Sequence, residues 1–130
     1  MAGRRKTSPP STHLTPLEVQ VMQVLWRQGP SNVQRVQRQI VGGLAYTTIQ
    51  TVLNGLHQKG KVRRKLRGRA FEYKAALARS AVLGNAVRDL VNRMFGGSPE
   101  ELVMSLIKTR QLDAGTIAAL AAAEQEEPDE

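Results

Sequence analysis

The sequence predicts a mainly α-helical protein, in which a winged helix-turn-helix of three helices plus a two-stranded basic hairpin precedes a C-terminal helical dimerisation region. Three observations predict this fold. Apolar residues recur with helical spacing in three short segments that end at glycine turns. The spacing then changes to strand alternation over an arginine-rich stretch, and helical spacing returns in the last third of the chain.

Length and charge narrow the possible classes of function. A chain of 130 residues allows one domain, or one small domain with an appendage. Residues 1–79 carry 15 lysines and arginines against two acids, a net charge of +13, whereas residues 80–130 carry 4 against 9, a net charge of −5. A basic half followed by a mildly acidic half is typical of a nucleic-acid binder with an assembly module.

Several chemistries are excluded or not expected. The sequence has no cysteine, which excludes disulfides, thiolate metal sites and thiol redox sensing. It has neither a membrane-length apolar run nor the apolar core of a signal peptide, so we expect a cytoplasmic protein without a membrane partner. No Walker loop, GxSxG motif or metal-spaced cluster occurs, and we therefore expect no enzymatic activity, no metal and no cofactor.

Residues 1–13 are expected to form a flexible basic arm, with a cationic cluster at Arg4, Arg5 and Lys6. Tracking of phosphates or of a minor groove is one interpretation of this arm, and a tail that only keeps the chain soluble is the other.

Capping signals predict the first two helices. Thr15-Pro16-Leu17-Glu18 is a capping box with proline at the first helical position, and Gly29-Pro30 ends that helix after about Gln28. Ser31-Asn32-Val33-Gln34 is a second capping box, opening a helix to about Val41. The side chains expected in the core are Val19, Met22, Leu25 and Trp26 from the first helix and Val33, Val36, Ile40 and Val41 from the second.

The third helix, expected from Ala45 to Gly60, carries the predicted DNA-reading face. Its apolar stripe consists of Ile49, Val52, Leu53 and Leu56. The opposite face carries hydroxyls and amides, which pair with base edges where a carboxylate would be repelled by phosphates. The predicted base contacts are Thr47, Thr48, Gln50, Thr51 and Asn54. A merely solvated polar face is the alternative interpretation.

A basic hairpin follows the third helix. Val62 and Leu66 share one face of its first strand, Phe71 and Tyr73 share a face of the second, and Gly68 lies at the turn. Five cations crowd this segment beside a single acid, Glu72, so phosphates are their natural counterions. The cations are Arg63, Arg64, Lys65, Arg67 and Arg69, of which Arg63, Lys65, Arg67 and Arg69 are the predicted phosphate contacts. A solvated edge that prevents strand aggregation is the alternative.

Three more short helices are predicted after the hairpin, over residues 80–95, from Ser98-Pro99 onward, and over about residues 114–125. About 45 residues cannot easily enclose a core of their own, so we expect a second copy to cover them. Packing onto the winged domain is the alternative. The expected domains are residues 14–78, the winged helix; 79–123, the dimerisation region; and 124–130, an acidic tail. The expected dimer contacts are Leu83, Val87, Leu90, Val91, Met94, Phe95, Leu102 and Leu106.

A series of short motifs runs through residues 14–110. In order they are Leu14-Thr15, Glu18, Val21-Met22, Leu25-Trp26, Gly29-Pro30, the run from Ala45 to Leu53, Lys59-Gly60, Gly68-Arg69-Ala70 and Tyr73. With these motifs the sequence resembles the penicillinase and methicillin-resistance repressor family, the BlaI/MecI type. The resemblance implies homodimeric winged-helix repressors that bind palindromic operators and dimerise through a C-terminal helical region.

The resemblance also implies DNA contacts at four positions of the third helix, Thr47, Thr48, Gln50 and Thr51. Gly55 stands where the family often has arginine. Because glycine costs a helix about 1 kcal/mol relative to alanine, we expect Gly55 to permit the close approach of a backbone, either of DNA or of another helix.

Relief of repression by a sensor or a protease is a further implication. Antibiotic-responsive members are cleaved at an Asn-Phe pair, whose place is taken here by Ser105-Leu106, and copper-responsive members carry C-terminal cysteines that this chain lacks.

The predicted function is therefore sequence-specific transcriptional repression by a homodimer bound to double-stranded DNA at a palindromic operator. Two alternatives belong to other classes, namely a sequence-neutral nucleoid-associated protein and a winged helix that binds proteins. The uncharged polar face of the third helix favours the repressor.

Overall fold

The structure, a computed structural model, describes residues 11–126 of the chain. Within them lie six helices and one two-stranded hairpin: α1 Pro16–Gln28, α2 Val33–Gln39, α3 Tyr46–Gln58, β1 Val62–Arg67, β2 Ala70–Ala75, α4 Arg79–Met94, α5 Pro99–Lys108 and α6 Ala114–Glu126. Three helices followed by a hairpin and further helices confirm the predicted winged helix-turn-helix. The chain forms two compact units, one ending at Ala86 and the other beginning at Val87.

Helix α1 begins with the capping box that the sequence predicts. The Thr15 hydroxyl accepts a hydrogen bond from the Glu18 backbone N–H at 3.2 Å, and the Glu18 carboxylate accepts one from the Thr15 N–H at 2.9 Å. Helix α3 begins after Ala45 without a side-chain cap, and Gly60 follows its end with φ +78°. Glycine adopts this left-handed conformation without strain, which is why the helix ends there.

Helix α2 differs from its prediction at both ends. Asn32, not Ser31, is the N-cap, because its side chain accepts from the Arg35 N–H at 2.8 Å. The Ser31 backbone is instead paired with Tyr73 in an isolated β-bridge. At the other end α2 stops at Gln39 and Ile40 is extended, so Val41 falls outside the helical repeat and is 94% exposed. The expected burial of Val41 is therefore wrong.

The hairpin pairs β1 with β2 in antiparallel register around a turn at Gly68, whose φ is +65°. The register places Val62, Arg64, Leu66, Phe71 and Tyr73 on one face, as the alternation of apolar residues predicts. The other face carries Arg63, Lys65, Arg67, Glu72 and Lys74.

The first unit has one continuous core. It is built from Val21, Met22, Val24 and Leu25 of α1, Val33, Val36 and Ile40 in and after α2, Ile49, Leu53 and Leu56 of α3, Val62 and Tyr73 of the hairpin, and Leu77 and Val82. Trp26 packs against this core, and its indole N–H donates to the Leu77 carbonyl at 2.9 Å. The buried face of α1 is wider than predicted, since it includes Val21 and Val24, while Val19 is only partly buried.

The first turns of α4 belong to the first unit, because Val82 is part of its core. The first compact unit thus ends at Ala86, inside α4, whereas the expected domain boundary at residue 79 coincides with the start of this helix and stays a prediction. In the second unit the Ser98 hydroxyl caps α5 by accepting from the Glu101 N–H at 3.2 Å. No residue of α5 is buried, and within the described part of the second unit Val91 is the one buried apolar residue.

The ends of the chain are described only in part. The cluster at Arg4, Arg5 and Lys6 lies outside the described residues, as do residues 127–130 of the expected acidic tail. At the described end of the expected arm, the Thr12 hydroxyl accepts from the Asn85 amide at 2.8 Å and the His13 carbonyl accepts from the Lys61 ammonium.

Candidate nucleic-acid interface

The exposed face of α3 is polar and carries no formal charge. Thr47, Gln50, Thr51 and Asn54 are all exposed and are spaced so that they form one stripe along the helix, while Thr48 beside them is half-buried. None of the thirteen residues of α3 is an acid, a lysine or an arginine. The stripe therefore offers hydroxyls and amides to a ligand, which is the chemistry that base edges match.

The predicted phosphate contacts lie on the face of the hairpin opposite the core and at its tip. Arg63, Lys65 and Arg67 alternate along β1 on the face opposite the core, and Arg69 follows Gly68 at the turn. Only Arg67 has an acidic partner among the described residues, the Glu72 carboxylate at 3.3 Å. The side chains of Arg63, Lys65 and Arg69 are thus available to an external anion.

Arg64 is absent from the predicted phosphate contacts, yet it is the hairpin cation that contacts α3. Its Nη1 donates to Asn54 Oδ1 at 3.0 Å and to the Tyr73 hydroxyl at 3.3 Å. Its guanidinium lies over the Phe71 ring, 4.1 Å from the ring centroid. The signal for this position is strand alternation, which places residue 64 between Val62 and Leu66 on the face that meets the helices.

Tyr73 holds the hairpin and α3 together. It is 2% exposed, and its hydroxyl donates to Asn54 Oδ1 at 3.2 Å. Its backbone exchanges two hydrogen bonds with Ser31, of 2.8 and 2.9 Å. Asn54, Arg64 and Tyr73 therefore form one hydrogen-bonded group, which we call the Asn54 clasp, and the clasp joins the polar stripe of α3 to the hairpin.

The C-terminal end of α3 is held on α1 by charge. Lys59 Nζ lies 2.8 Å from the Glu18 carboxylate, which is 8% exposed. Burial alone would raise the pKa of Glu18, but hydrogen bonds from Lys59 and from the Thr15 N–H, together with the charges of Lys59 and Lys61, outweigh it and lower the pKa. Glu18 is therefore ionised at neutral pH and fixes the end of α3.

Gly55 does not serve close packing inside the described part of the protein. A Cβ built at this position would meet no atom within 4 Å, and the backbone is ordinary helix. No helix among the described residues therefore makes the close approach expected at Gly55, and the approach of a DNA backbone stays a prediction.

The predicted dimer contacts fall into two groups. Leu83, Val87, Leu90 and Met94 of α4 are 42–70% exposed and follow one another at helical spacing, so we call them the α4 stripe. Val91 is buried within its own chain, whereas Phe95, Leu102 and Leu106 are half-buried. The α4 stripe is thus the part of the set that a partner could cover.

Two further features bear on the class of site. Among the described residues no group of three or more His, Cys, Asp and Glu side chains could hold a metal ion. Over the same residues, no helix combines the length and the apolar character needed to cross a membrane.

Comparison with known proteins places the chain in a family. The family model of the penicillinase repressor matches residues 14–126. The penicillinase repressor of Bacillus licheniformis is 27% identical over 105 residues, which cover 79% of this chain and 82% of that protein. The methicillin resistance regulatory proteins MecI of Mammaliicoccus sciuri and Staphylococcus aureus are each 22% identical over 105 residues, covering 79% of this chain and 85% of those proteins.

Among solved structures, a MarR family protein from Bacillus stearothermophilus aligns with a TM-score of 0.47 and 22% identity, covering 75% of this chain and 71% of that one. The family match extends over most of the chain and through all six helices and the hairpin, so this chain belongs to the penicillinase repressor family, as its sequence motifs predict.

Proposed function

We propose that this protein is a transcriptional repressor that binds double-stranded DNA sequence-specifically, as a homodimer on an inverted-repeat operator. The observation that carries the proposal is the uncharged, exposed polar stripe of α3 beside a hairpin in which Arg67 alone of the cations pairs with an acid among the described residues. Related proteins named as the penicillinase repressor and as methicillin resistance regulators support the same function.

The two parts of the surface would contribute differently to binding. Thr47, Gln50 and Thr51 on α3 would enter the major groove, where hydroxyls and amides distinguish base pairs by their donors and acceptors. The predicted phosphate contacts on the hairpin would add affinity on any sequence and fix the position of the protein on the duplex; they are Arg63, Lys65, Arg67 and Arg69. Sequence preference and salt dependence should therefore belong to different elements.

The α4 stripe supports the homodimer. Four apolar side chains that remain 42–70% exposed are a surface for which water is a poor solvent, and burying one such side chain fully is worth roughly 1.5–3 kcal/mol. A second copy presents the same stripe, so a two-fold axis would let the two stripes cover each other. A two-fold dimer presents two recognition helices, and these match two half-sites of opposite orientation.

Selection from random duplex DNA tests the proposal. The purified full-length protein is mixed with the pool at about 0.15 M salt, close to physiological ionic strength, and the retained duplexes are sequenced. We expect an inverted repeat whose half-sites are separated by about one helical turn of DNA, or a multiple of it.

Two results would overturn the proposal in favour of another class of function. An unenriched pool, with binding lost steeply as salt rises, would indicate a sequence-neutral nucleoid protein held by electrostatics alone. The absence of tight binding to any duplex at this salt would indicate a winged helix that binds proteins. A single, unrepeated half-site would retain sequence-specific binding and reject the two-fold dimer.

A further inference from the structure

The orientation of the Asn54 amide is determined by its neighbours. A guanidinium has only N–H donors, so the Asn54 atom 3.0 Å from Arg64 Nη1 must be the amide oxygen. The Tyr73 hydroxyl donates to the same oxygen at 3.2 Å. Both lone pairs of Oδ1 are then used inside the protein, and what remains of the amide for a ligand is the NH₂ group, a donor.

The neighbours are themselves held in place. Arg64 is stacked on Phe71 and also donates a hydrogen bond to the Tyr73 hydroxyl. The Tyr73 hydroxyl in turn donates a hydrogen bond to Asn54 Oδ1. Tyr73 is buried, and its backbone N–H and carbonyl each form a hydrogen bond with the backbone of Ser31. The Asn54 amide thus cannot turn over without leaving a guanidinium facing an NH₂ group.

We propose that Asn54 acts in the DNA complex as a donor-only contact, and that Arg64 is the positioning residue that keeps it so. This inference rests on the proposed function. Asn54 is exposed and lies one turn after Gln50 on the polar stripe, so it faces the same groove.

The consequence is a definite base preference. Asparagine usually recognises adenine with two bonds, accepting from N6–H₂ through its oxygen and donating to N7 through its nitrogen. In this protein Asn54 Oδ1 already accepts two hydrogen bonds, so Asn54 cannot also accept one from adenine N6–H₂. An NH₂ group alone can donate to adenine N7 or to thymine O4, but guanine presents two adjacent acceptors, N7 and O6, and no donor on the same edge, so guanine suits it best. The base opposite Asn54 should therefore be guanine.

The role assigned to Arg64 differs from that of a phosphate contact in a measurable way. Loss of a phosphate contact weakens binding to all sequences and lowers the salt slope by about 1. Loss of a positioning residue should leave the salt slope unchanged and alter preference at one base position. Arg63 provides the matched control, since it is the preceding residue of β1, carries the same charge and lies on the opposite face without contact to Asn54.

The test is the random-duplex selection repeated with full-length Asn54→Ala, Arg64→Met and Arg63→Met beside the unchanged protein. We expect the unchanged protein to select guanine over adenine by about tenfold at one position of each half-site, within the range of a single base contact. Asn54→Ala should lose the preference at that position, which identifies it. Arg64→Met should shift it toward adenine with an unchanged salt slope, and Arg63→Met should keep guanine and lower the slope.

Tyr73→Phe gives a second, independent variant, because it keeps the buried ring and removes only the hydroxyl donor. It should move the preference toward adenine by less than Arg64→Met does, and it carries the test if Arg64→Met fails to fold by circular dichroism. The inference is overturned if both variants keep the guanine preference, or if Arg64→Met only lowers the salt slope. Absence of any motif with the unchanged protein would instead reject the proposed function.

Discussion

Gln50 has the longest side chain on the exposed polar stripe of α3, and it should specify one base position. We expect Gln50→Ala to reduce discrimination at a single position in each half-site by about 1–3 kcal/mol, because an amide pairs with a base edge. Binding to operator duplexes with each base at that position measures the effect. Arg67→Ala, by comparison, should weaken all these duplexes alike, and an equal effect of both substitutions on the motif would contradict the assigned roles.

Substitution of Gly55 by alanine should raise the stability of the protein while it weakens DNA binding. A Cβ has open space there, so Gly55→Ala should stabilise the protein by about 1 kcal/mol in urea unfolding. If the glycine serves the approach of a DNA backbone, the same substitution weakens operator binding. Gly84→Ala is the control, because Gly84 also lies within a helix and also has nothing within 4 Å of a built Cβ. Operator affinity equal to that of the unchanged protein would reject this reason for Gly55.

At this scale the sequence predicts residue types better than it predicts their partners. The exposed polar stripe follows from helical spacing, and strand alternation is enough to set Arg64 apart from Arg63 and Lys65. The bond from Tyr73 to Asn54 does not follow, because it joins residues 19 apart in sequence and depends on how the hairpin meets α3. Exposure of Val41 depends on α2 ending two residues early, and helix ends are the least determined part of a periodic pattern.

Among the elements, the hairpin combines several cations with one acid, and that acid should limit affinity. Glu72 pairs with Arg67 and lies opposite Lys65 in the register. We expect Glu72→Gln to strengthen binding to specific and unrelated duplexes alike and to steepen the dependence on salt, because Arg67 is released for phosphate. Titrations at several salt concentrations measure both quantities. Weaker binding by Glu72→Gln would show that the Arg67–Glu72 pair positions the hairpin rather than competing with DNA.

The ion pair between Glu18 of α1 and Lys59 at the end of α3 should make the stability of the protein depend on pH. The pKa of Glu18 lies below its ordinary value of 4.5, so its contribution is present above that pH and is lost as pH falls through the lowered pKa. Glu18→Gln keeps a residue that a capping box accepts and removes the charge. The unchanged protein should be more stable than this variant by roughly 1 kcal/mol at pH 7, the scale of an ion pair with a half-exposed lysine.

Urea unfolding at pH 7 and again well below pH 4.5 checks this, and the difference between the two proteins should shrink in acid. A difference that stays constant would assign the effect to packing.

Elements with local signals are predicted closely. Helices α1, α3 and α4 and the hairpin begin and end within about two residues of their predicted bounds, since caps and glycine turns are written in adjacent residues. The start of α2 is an exception, because Ser31 is not the N-cap that the local sequence predicts. Its pattern suits an N-cap, but its backbone pairs with Tyr73 across 42 residues, and a non-local strand contact leaves no mark in the four residues around it.

For the whole molecule, the α4 stripe should control the assembly state. Leu90→Asp places a charge in the middle of the stripe, and we expect it to halve the mass measured by light scattering. Because two linked half-sites bind more tightly than one, operator affinity should fall by about a hundredfold or more. Val41→Asp is the control, since Val41 is an exposed apolar residue outside the stripe. A dimer of Leu90→Asp would place the interface elsewhere.

The large-scale division of the chain is only partly visible in its sequence. The change from basic to acidic composition near residue 79 coincides with the start of α4, yet the first compact unit continues to Ala86 because Val82 completes its core. A charge pattern reports what faces solvent and ligand, whereas a unit boundary depends on which apolar side chain reaches which core. The partner of the α4 stripe is not determined by one chain, because an exposed apolar face has the same pattern whatever covers it.

Trp26 gives the protein an intrinsic fluorescence signal next to the segment that joins the hairpin to α4. It is the only tryptophan of the chain, and its indole donates to the carbonyl of Leu77, which lies between the end of β2 and the start of α4. Indole emission shifts to longer wavelength when the ring leaves an apolar, hydrogen-bonded site for water. Fluorescence of the unlabelled protein therefore reports whether the segment leading from the hairpin into α4 remains in place when DNA is added.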